Sequence, residues 1–576
     1  MKTQAKGLAI VLSLAVLLGG CAGINSGRTE GSAASGVGPD SGATSGAGAF
    51  PEAQDPFGKY AEPVKFTIGM GIDPAEELPE GDTPQNNQYI RYIKDQLNID
   101  VDVTWTASNS DYDQKVSLAI SSNSLPDGLL VNDTQFHAMA RSQQLEDLTA
   151  SYDTYASPVM KQMIGSSKGL AIQNVTFDGK MMGLTSVSDG DMLLTWIRKD
   201  WMDKLNLKAP TTMADLENIA RQFVEKDPGG NGPGNTIGIT GPQSGGAMYA
   251  TFLTSGTNNF GFDSIFNSFG SYPGWWVKDA NGNPMYGSVA PETKPALAKL
   301  AQLYKDDIID PEMGIRKDAA EPIISGKSGI FTGGWWMGYY MLPDVIKQNP
   351  AANFQAYPIP VSGDGSYAPH ASAASYSYAV IRKGYEHPEV AIRLNNLLIR
   401  DESTFDTSKG QIGDYPLRIP FGMVDESIVT VNAMKQVLSG EKKPEDFAGE
   451  QYIPYKLLKE DLARIKTVKK EPYDDMDIQY WDPKADPSAW ARSYSLMVGW
   501  GAFVNAKYNP VYSLTYSRTD TIDKRWTNLK KLEDEAFMRI IMNNSPIDAF
   551  DSFVSDWKSQ GGDQITKEVA ELTNQK

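Results

Sequence analysis

Val64, Phe66, Ile68 and Met70 alternate with Lys65, Thr67 and Gly69, which predicts a strand with one buried face. Behind it Ile90, Ile93 and Leu97 recur at helical spacing. A strand over 101–105 (Val101, Val103, Trp105), a helix over 112–122 (Val116, Ala119, Ile120) and a strand over 128–132 continue the alternation, so a parallel α/β lobe of βαβ units is expected to begin here. Ligands of such sheets sit outside the carboxyl ends of strands, which selects Gly71 to Asp73, Ala107 to Asp111 and Asn132 to Gln135. Asp178-Gly179, between NVTF and KMMGL, predicts a hairpin, and a second set of elements is expected from Leu193.

Further on, Leu216, Ile219, Ala220, Phe223 and Val224 form one face of a helix that Thr212 and Asp215 open as a capping box. Leu297, Leu300, Ala301 and Tyr304 mark another helix, and Asn281-Gly282 a second hairpin turn. Residues 387–399 are expected to be helical from Pro388, with Glu389 in the first turn and His387 as a cap. The stretch 471–490 reads as a long loop, and the last clear helix covers about 527–542. No internal repeat is visible.

The amino terminus has a different pattern. Lys2 and Lys6 precede the apolar run Leu8 to Leu18, and Leu18-Gly19-Gly20-Cys21 follows it. That run is too short to span a bilayer, which takes about 20 residues, so 1–20 is expected to be a cleaved export signal. Cys21 is the only cysteine. Placed at the cleavage site, it is the expected attachment point for thioether-linked and acyl lipid, which would hold the protein at the extracellular face of the membrane. Residues 21–58 read as a tether, and the stretch of about 28 residues behind Cys21, nearly all Gly, Ala, Ser and Thr, has a mean span of about 30 Å.

The formal charge is −18 and becomes two units more negative once Lys2 and Lys6 are lost, which argues against nucleic-acid partners. With one thiol there is no disulfide, and stability must come from core size. Twelve Trp and 26 Tyr exceed what such a core requires, and the surplus points to carbohydrate.

Enzyme signatures mostly fail on three His and one Cys. Gly326-Lys327-Ser328 lacks the earlier glycine of a phosphate loop, and Gly165-Ser-Ser-Lys-Gly169 follows a helical stretch where a nucleophile elbow needs a strand. Paired carboxylates stay open among 71 acidic residues. The segment 227–238 offers Asp227, Asn231, the Pro233 carbonyl and Asn235 in the manner of a degenerate calcium loop, with glycine at 229 and 238 where further ligands belong. A plain Gly/Pro turn is the better reading, and no cofactor beyond weak calcium is expected.

Trp275-Trp276 and Phe331-Thr-Gly-Gly-Trp335-Trp336-Met-Gly-Tyr339-Tyr340 are stronger signals. Pyranose C–H faces stack on indole while the hydroxyls need polar partners. The alternative is that these tryptophans are core. Adjacent strand residues face opposite ways, so at most one of each pair is expected at a ligand.

The pieces GDTPQNNQYIRYIKDQLNIDVDVTW, LTWIRKDWMDKLNLKAPTTMADLENIA, DPGGNGPGNTIGITG, FTGGWWMGYYMLPD and SPIDAFDSFVSDWKSQGG, in this order, resemble the lipoprotein extracellular solute-binding proteins of ABC importers, family 1, in its long subgroup. The resemblance implies a two-lobed α/β fold of the type II periplasmic-binding kind, with a hinge and an interlobe cleft. It implies lobe one over 59–187 and 332–400, and lobe two over 188–331 and 401–576. It also implies a sugar or oligosaccharide ligand, permease subunits as partners, a monomer, and calcium in relatives that carry DPDGNG where Gly229 stands here. Asn132, Asp133 and Gln135, with Trp275, Trp335, Trp336 and Tyr339, are the expected ligand contacts, and Arg198 is read as pairing with Asp200 or Asp203, with a role in the cleft as the alternative. A non-catalytic receptor is the first expectation. A surface glycoside hydrolase or lyase, or a sensory lipoprotein, is the alternative.

Overall fold

Strand β1 (Val64–Ile72) buries Phe66 and Ile68 and lies parallel to β2 (Ile99–Ser108), from Val64 opposite Ile99 to Ile72 opposite Ser108. These elements belong to a computed structural model that describes residues 55–73, 78–187, 192–253, 258–373, 375–405, 412–468, 478, 481, 484 and 486–574. The export signal, Cys21 and most of the tether lie outside the described residues. Helix α1 (Gln88–Leu97) joins the two strands. The Asn87 side-chain oxygen caps its start, accepting from the main chain of Tyr89 and Ile90, and Asn98 ends it in the left-handed region at φ 60°. Helix α2 (Tyr112–Ser121) follows, and β3 (Gly128–Val131) pairs parallel with β1 through Gly128 and Ile68.

The chain divides into two compact units. The first comprises residues up to Val131, Gln144–Ser157 and Ala379–Arg418, and its strands run β2, β1, β3 and then Tyr378–Ile381. Polar clamps tie its three segments together. Tyr60 donates to Glu389 at 2.7 Å, and the Arg393 guanidinium lies over both Tyr60 and Tyr155, 4.9 and 4.5 Å from the ring centres. The helix beside them covers Val390–Asp401 with Glu389 as its N-cap, two residues later than expected.

The second unit comprises Asn132–Gln143, Pro158–Tyr378 and Ile419 onwards. Its sheet has the wholly buried strand Leu193–Arg198 in the middle, antiparallel to Ile330–Gly334 on one side and Phe354–Tyr357 on the other. That pairing, with Trp196 stacked on Phe331 at 6.2 Å, puts 332–378 in the second unit, which differs from the expected division. Two cores flank the sheet. One gathers Trp201, Phe223, Trp276, Tyr286, Leu300, Phe537 and Trp557; the other gathers Trp196, Phe331, Met434, Leu462, Trp490 and Trp500.

Local signals hold where they are strong. Thr212 and Asp215 form the reciprocal box that opens the helix Met213–Lys226, and Asp178-Gly179 turns the hairpin of Thr176–Phe177 and Lys180–Met181 with both residues at positive φ. The carboxyl end is longer in helix than expected. Asp520–Ile541 begins earlier than 527, and Ala549–Trp557 and Asp563–Asn574 follow it. Part of the expected loop 471–490 is helical, since Asp486 accepts from the Ala489 main chain at 3.0 Å and caps Pro487–Tyr494. Among the described residues no helix is long and apolar enough to cross a membrane.

Candidate functional site

The strand Ile330–Gly334 ends on two glycines, and the chain turns through Trp335 and Trp336 into one helical turn, Met337–Tyr340. Met337 and Gly338 point inward and are buried, while Tyr339 and Tyr340 are 45% and 41% exposed. Trp335 and Trp336 are half-buried. Four aromatic side chains therefore crowd one short turn. The Trp336 ring meets Tyr340 edge-on at 6.1 Å, and Trp335 leans on buried Trp500 at 6.1 Å.

An ionic floor supports this ledge. Arg492 lies 5.7 Å from the Trp335 ring centre and donates twice to Asp461, at 3.0 and 2.9 Å. Arg464 reaches the same buried carboxylate at 2.7 Å and Glu460 at 3.0 Å. Burial works against the Arg492 charge, and the Asp461 bonds more than offset it. Two guanidinium groups thus face two carboxylates, and the floor is cross-linked by hydrogen bonds without a net charge. Such a ledge can stack flat apolar faces whose edges carry hydroxyls.

The other expected contacts lie elsewhere in the second unit. Asn132 and Gln135 form a capping box: the Asn132 side chain accepts from the Gln135 main chain at 3.0 Å, and the Gln135 side chain accepts from the Asn132 main chain at 3.1 Å, at the start of helix α3 (Asp133–Arg141). Asp133 accepts from Tyr378 at 3.0 Å and from the Ser517 hydroxyl, with His137 3.4 Å away. Trp275 is wholly buried, its indole N–H donating to the Val511 carbonyl at 2.9 Å, and so it has no face open to a ligand. Trp276 is equally buried. Arg198 forms a two-bond pair with Asp200, at 2.7 and 2.6 Å. Ser167 follows the helix Pro158–Ser166, not a strand, so no nucleophile elbow forms there.

The calcium candidate closes on itself. One Asp227 oxygen accepts from Asn231 N–H at 2.9 Å and from the Thr236 hydroxyl at 2.6 Å, and the other from Gly232 N–H at 2.8 Å. Burial alone would raise the Asp227 pKa, and these donors outweigh it and lower it. A Cβ on Gly229 would stand 2.7 Å from both the Trp201 ring and the Asn231 amide, so a second carboxylate has no room. Pro233 and Asn235 are exposed, and the Asn235 amide donates to the Asn231 carbonyl at 3.0 Å. These donors do not fit a calcium cage. Among the described residues no group of three or more His, Cys, Asp or Glu is placed to hold a metal ion.

Sequence reasoning missed Arg492, Asp461 and Trp500, because nothing local links them to Trp335. Tyr340 was within reach, as the exposed neighbour of Tyr339.

Residues 81–404 match the family model described as bacterial extracellular solute-binding protein. The chain is 22% identical over 502 residues, 85% of its length and 89% of the relative's, to the polygalacturonan/rhamnogalacturonan-binding protein YtcQ of Bacillus subtilis. It is 27% identical over 182 residues, 30% of its length and 31% of the relative's, to the fructooligosaccharide ABC transporter substrate-binding protein FusA of Streptococcus pneumoniae. In fold it is similar to an ABC-transporter-associated solute-binding protein from Bifidobacterium longum infantis, with a TM-score of 0.54 at 15% identity over 89% of this chain and 99% of that one.

Proposed function

We propose that this chain, which belongs to the bacterial extracellular solute-binding protein family, captures a sugar or oligosaccharide and delivers it to the permease of an ABC importer. The ledge of Trp335, Trp336, Tyr339 and Tyr340 carries the reading, because half-exposed rings over a hydrogen-bonded floor with no net charge suit pyranose faces. The names of the two curated relatives, one polysaccharide-binding and one fructooligosaccharide-transporting, support it. The mechanism is linkage, not bond making: solute shifts the protein toward the state in which it adds contacts, and the ledge supplies stacking contacts to that state.

The test is a thermal-shift and tryptophan-fluorescence screen against neutral and acidic oligosaccharides, with released reducing ends measured in parallel. Stabilisation without release is expected. No response to any saccharide removes the carbohydrate reading, and release of reducing ends replaces it with a hydrolase or lyase. Lipid on Cys21 is part of the proposal, since a tether raises the effective concentration of receptor at its transporter without new contacts. Cys21→Ser is expected to free the protein from membranes and leave its solute affinity unchanged. The Asp227 loop is proposed to hold its shape by hydrogen bonds alone, so that a chelator leaves Tm where it was.

A further inference from the structure

Val101, Val103 and Trp105 are spaced by two, which on a regular strand puts them on one face. The pairing of β2 with β1 breaks that rule. Ile68 lies opposite Val103 and the next residue, Gly69, opposite Trp105, so Thr104 is inserted, and its hydroxyl donates to the Ile68 carbonyl at 3.0 Å. One inserted residue inverts the alternation beyond it. Val103 stays with Ile68 on the buried side, and Trp105 moves to the face of Gly69.

Gly69 makes that placement feasible. A Cβ there would stand 2.0 Å from the indole, so the ring lies across the β1 backbone where any larger residue would displace it. Tyr112 tilts against the ring at 5.7 Å, and the exposed Lys115 places its ammonium 5.3 Å from the ring centre. Trp105 remains half-buried and lines a groove of about 450 Å³ between β2 and α2, with Asp111, Gln114, Lys115 and Leu118. Leu118 is 62% exposed. A glycine in a strand interior and a bulge both weaken a strand, and here their joint result is an indole facing a groove.

We propose that this groove in the first unit is a further saccharide site, in which a pyranose stacks on Trp105 and Asp111, Gln114 and Lys115 meet its hydroxyls. The proposal rests on the carbohydrate reading of the chain. One carboxylate and one ammonium line the groove, so a neutral, hydroxyl-rich ring suits it better than a polyanion. Its volume is that of small-ligand pockets, about 300–1,000 Å³. Leu118 gives an apolar rim, and the Lys115 ammonium, which donates to the Thr106 carbonyl at 3.4 Å, keeps further N–H donors for a hydroxyl.

The test uses the full chain labelled with 5-fluorotryptophan, with Trp105→Phe serving to assign the Trp105 resonance. On saturation with an oligosaccharide that the wild type binds, this resonance is expected to shift, and Trp105→Ala to bind at least ~10-fold more weakly, equivalent to ~1.4 kcal/mol. Lys115→Met, at an exposed position, provides a second variant if Trp105→Ala fails to fold, with affinity lowered ~3-fold or more. An unmoved resonance together with unchanged Lys115→Met affinity overturns the site and leaves the carbohydrate reading standing. Failure of the wild type to bind any saccharide overturns both.

Discussion

Trp275-Trp276 and Trp335-Trp336 are the same dipeptide, each preceded by glycine and each beside a short strand, yet the first pair is wholly buried and the second half-exposed. The difference lies in what covers them. Trp276 begins the hairpin strand Trp276–Lys278 and packs on Tyr286 at 5.2 Å and Trp557 at 6.4 Å, under helices contributed by the carboxyl end of the chain. Trp335 leaves its sheet at the strand's end, where it meets Trp500 and Arg492 and stays half-buried. An indole in a covered hairpin is core. One on a turn that departs from a sheet keeps a face for solvent or solute.

The most direct way to break the comparison is Trp276→Ala, expected to cost about 3–5 kcal/mol as a cavity in the core. Denaturant unfolding would measure it. A loss under 1 kcal/mol would mean that the pair is less firmly covered than its burial indicates.

A pH experiment reaches the environment beneath Trp275, whose ring meets buried His370 edge-on at 4.7 Å. His370 Nε2 faces the Pro273 carbonyl at 3.2 Å and therefore carries hydrogen, leaving Nδ1 toward Asp263 at 3.4 Å. Burial pushes the Asp263 carboxyl up to about 7, against the bond from Ala250 N–H, and drives His370 down to about 3. In the unfolded chain these groups titrate near 4 and 6.5. Between about pH 4 and 6.5 folding thus moves one proton from the imidazole to the carboxyl, and the pair adds no slope to stability. His370→Gln leaves Asp263 alone, holding a proton in the folded state that the unfolded state lacks. Its stability is expected to fall as pH rises from 4 to 7, by up to ~1.4 kcal/mol per unit. Asp263→Asn reverses the sign, with stability rising between about pH 3 and 6.5. Thermal unfolding of both variants across that range decides the matter, and two flat profiles would refute it.

Trp335→Ala sharpens the contrast from the exposed side. Solute affinity is expected to drop at least ~10-fold, or ~1.4 kcal/mol, with a smaller stability loss than at Trp276. Calorimetric titration and unfolding of one sample separate the two effects. Equal loss of stability in both variants would make Trp335 a core residue after all.

Parts of the fold were legible because their cause is local. The alternation Val64 to Met70, the apolar stripe Leu216 to Phe223, the Thr212–Asp215 box and the Asp178-Gly179 turn each follow from a few neighbouring residues. The strand-end rule selects Asn132 and Gln135 as ligand contacts, but their spacing of three ahead of a helix also reads as a cap, and the cap wins because unpaired main-chain N–H groups must be satisfied. Phe550, Phe553 and Trp557 are spaced as a helix face, so the helix after residue 542 could also have been read.

Sequence alone determined the α/β character of the first unit and the aromatic richness behind the proposed ligand class. Tertiary structure decided which tryptophan pair keeps an open face, which cations stand beneath it, and on which side of β2 Trp105 emerges. The physical reason is the range of the forces. Periodicity, caps and turns are settled within a few residues, whereas burial of a side chain depends on surfaces supplied from hundreds of residues away, as Trp557 does for Trp276, and one inserted residue such as Thr104 reverses a face without altering the composition of its strand.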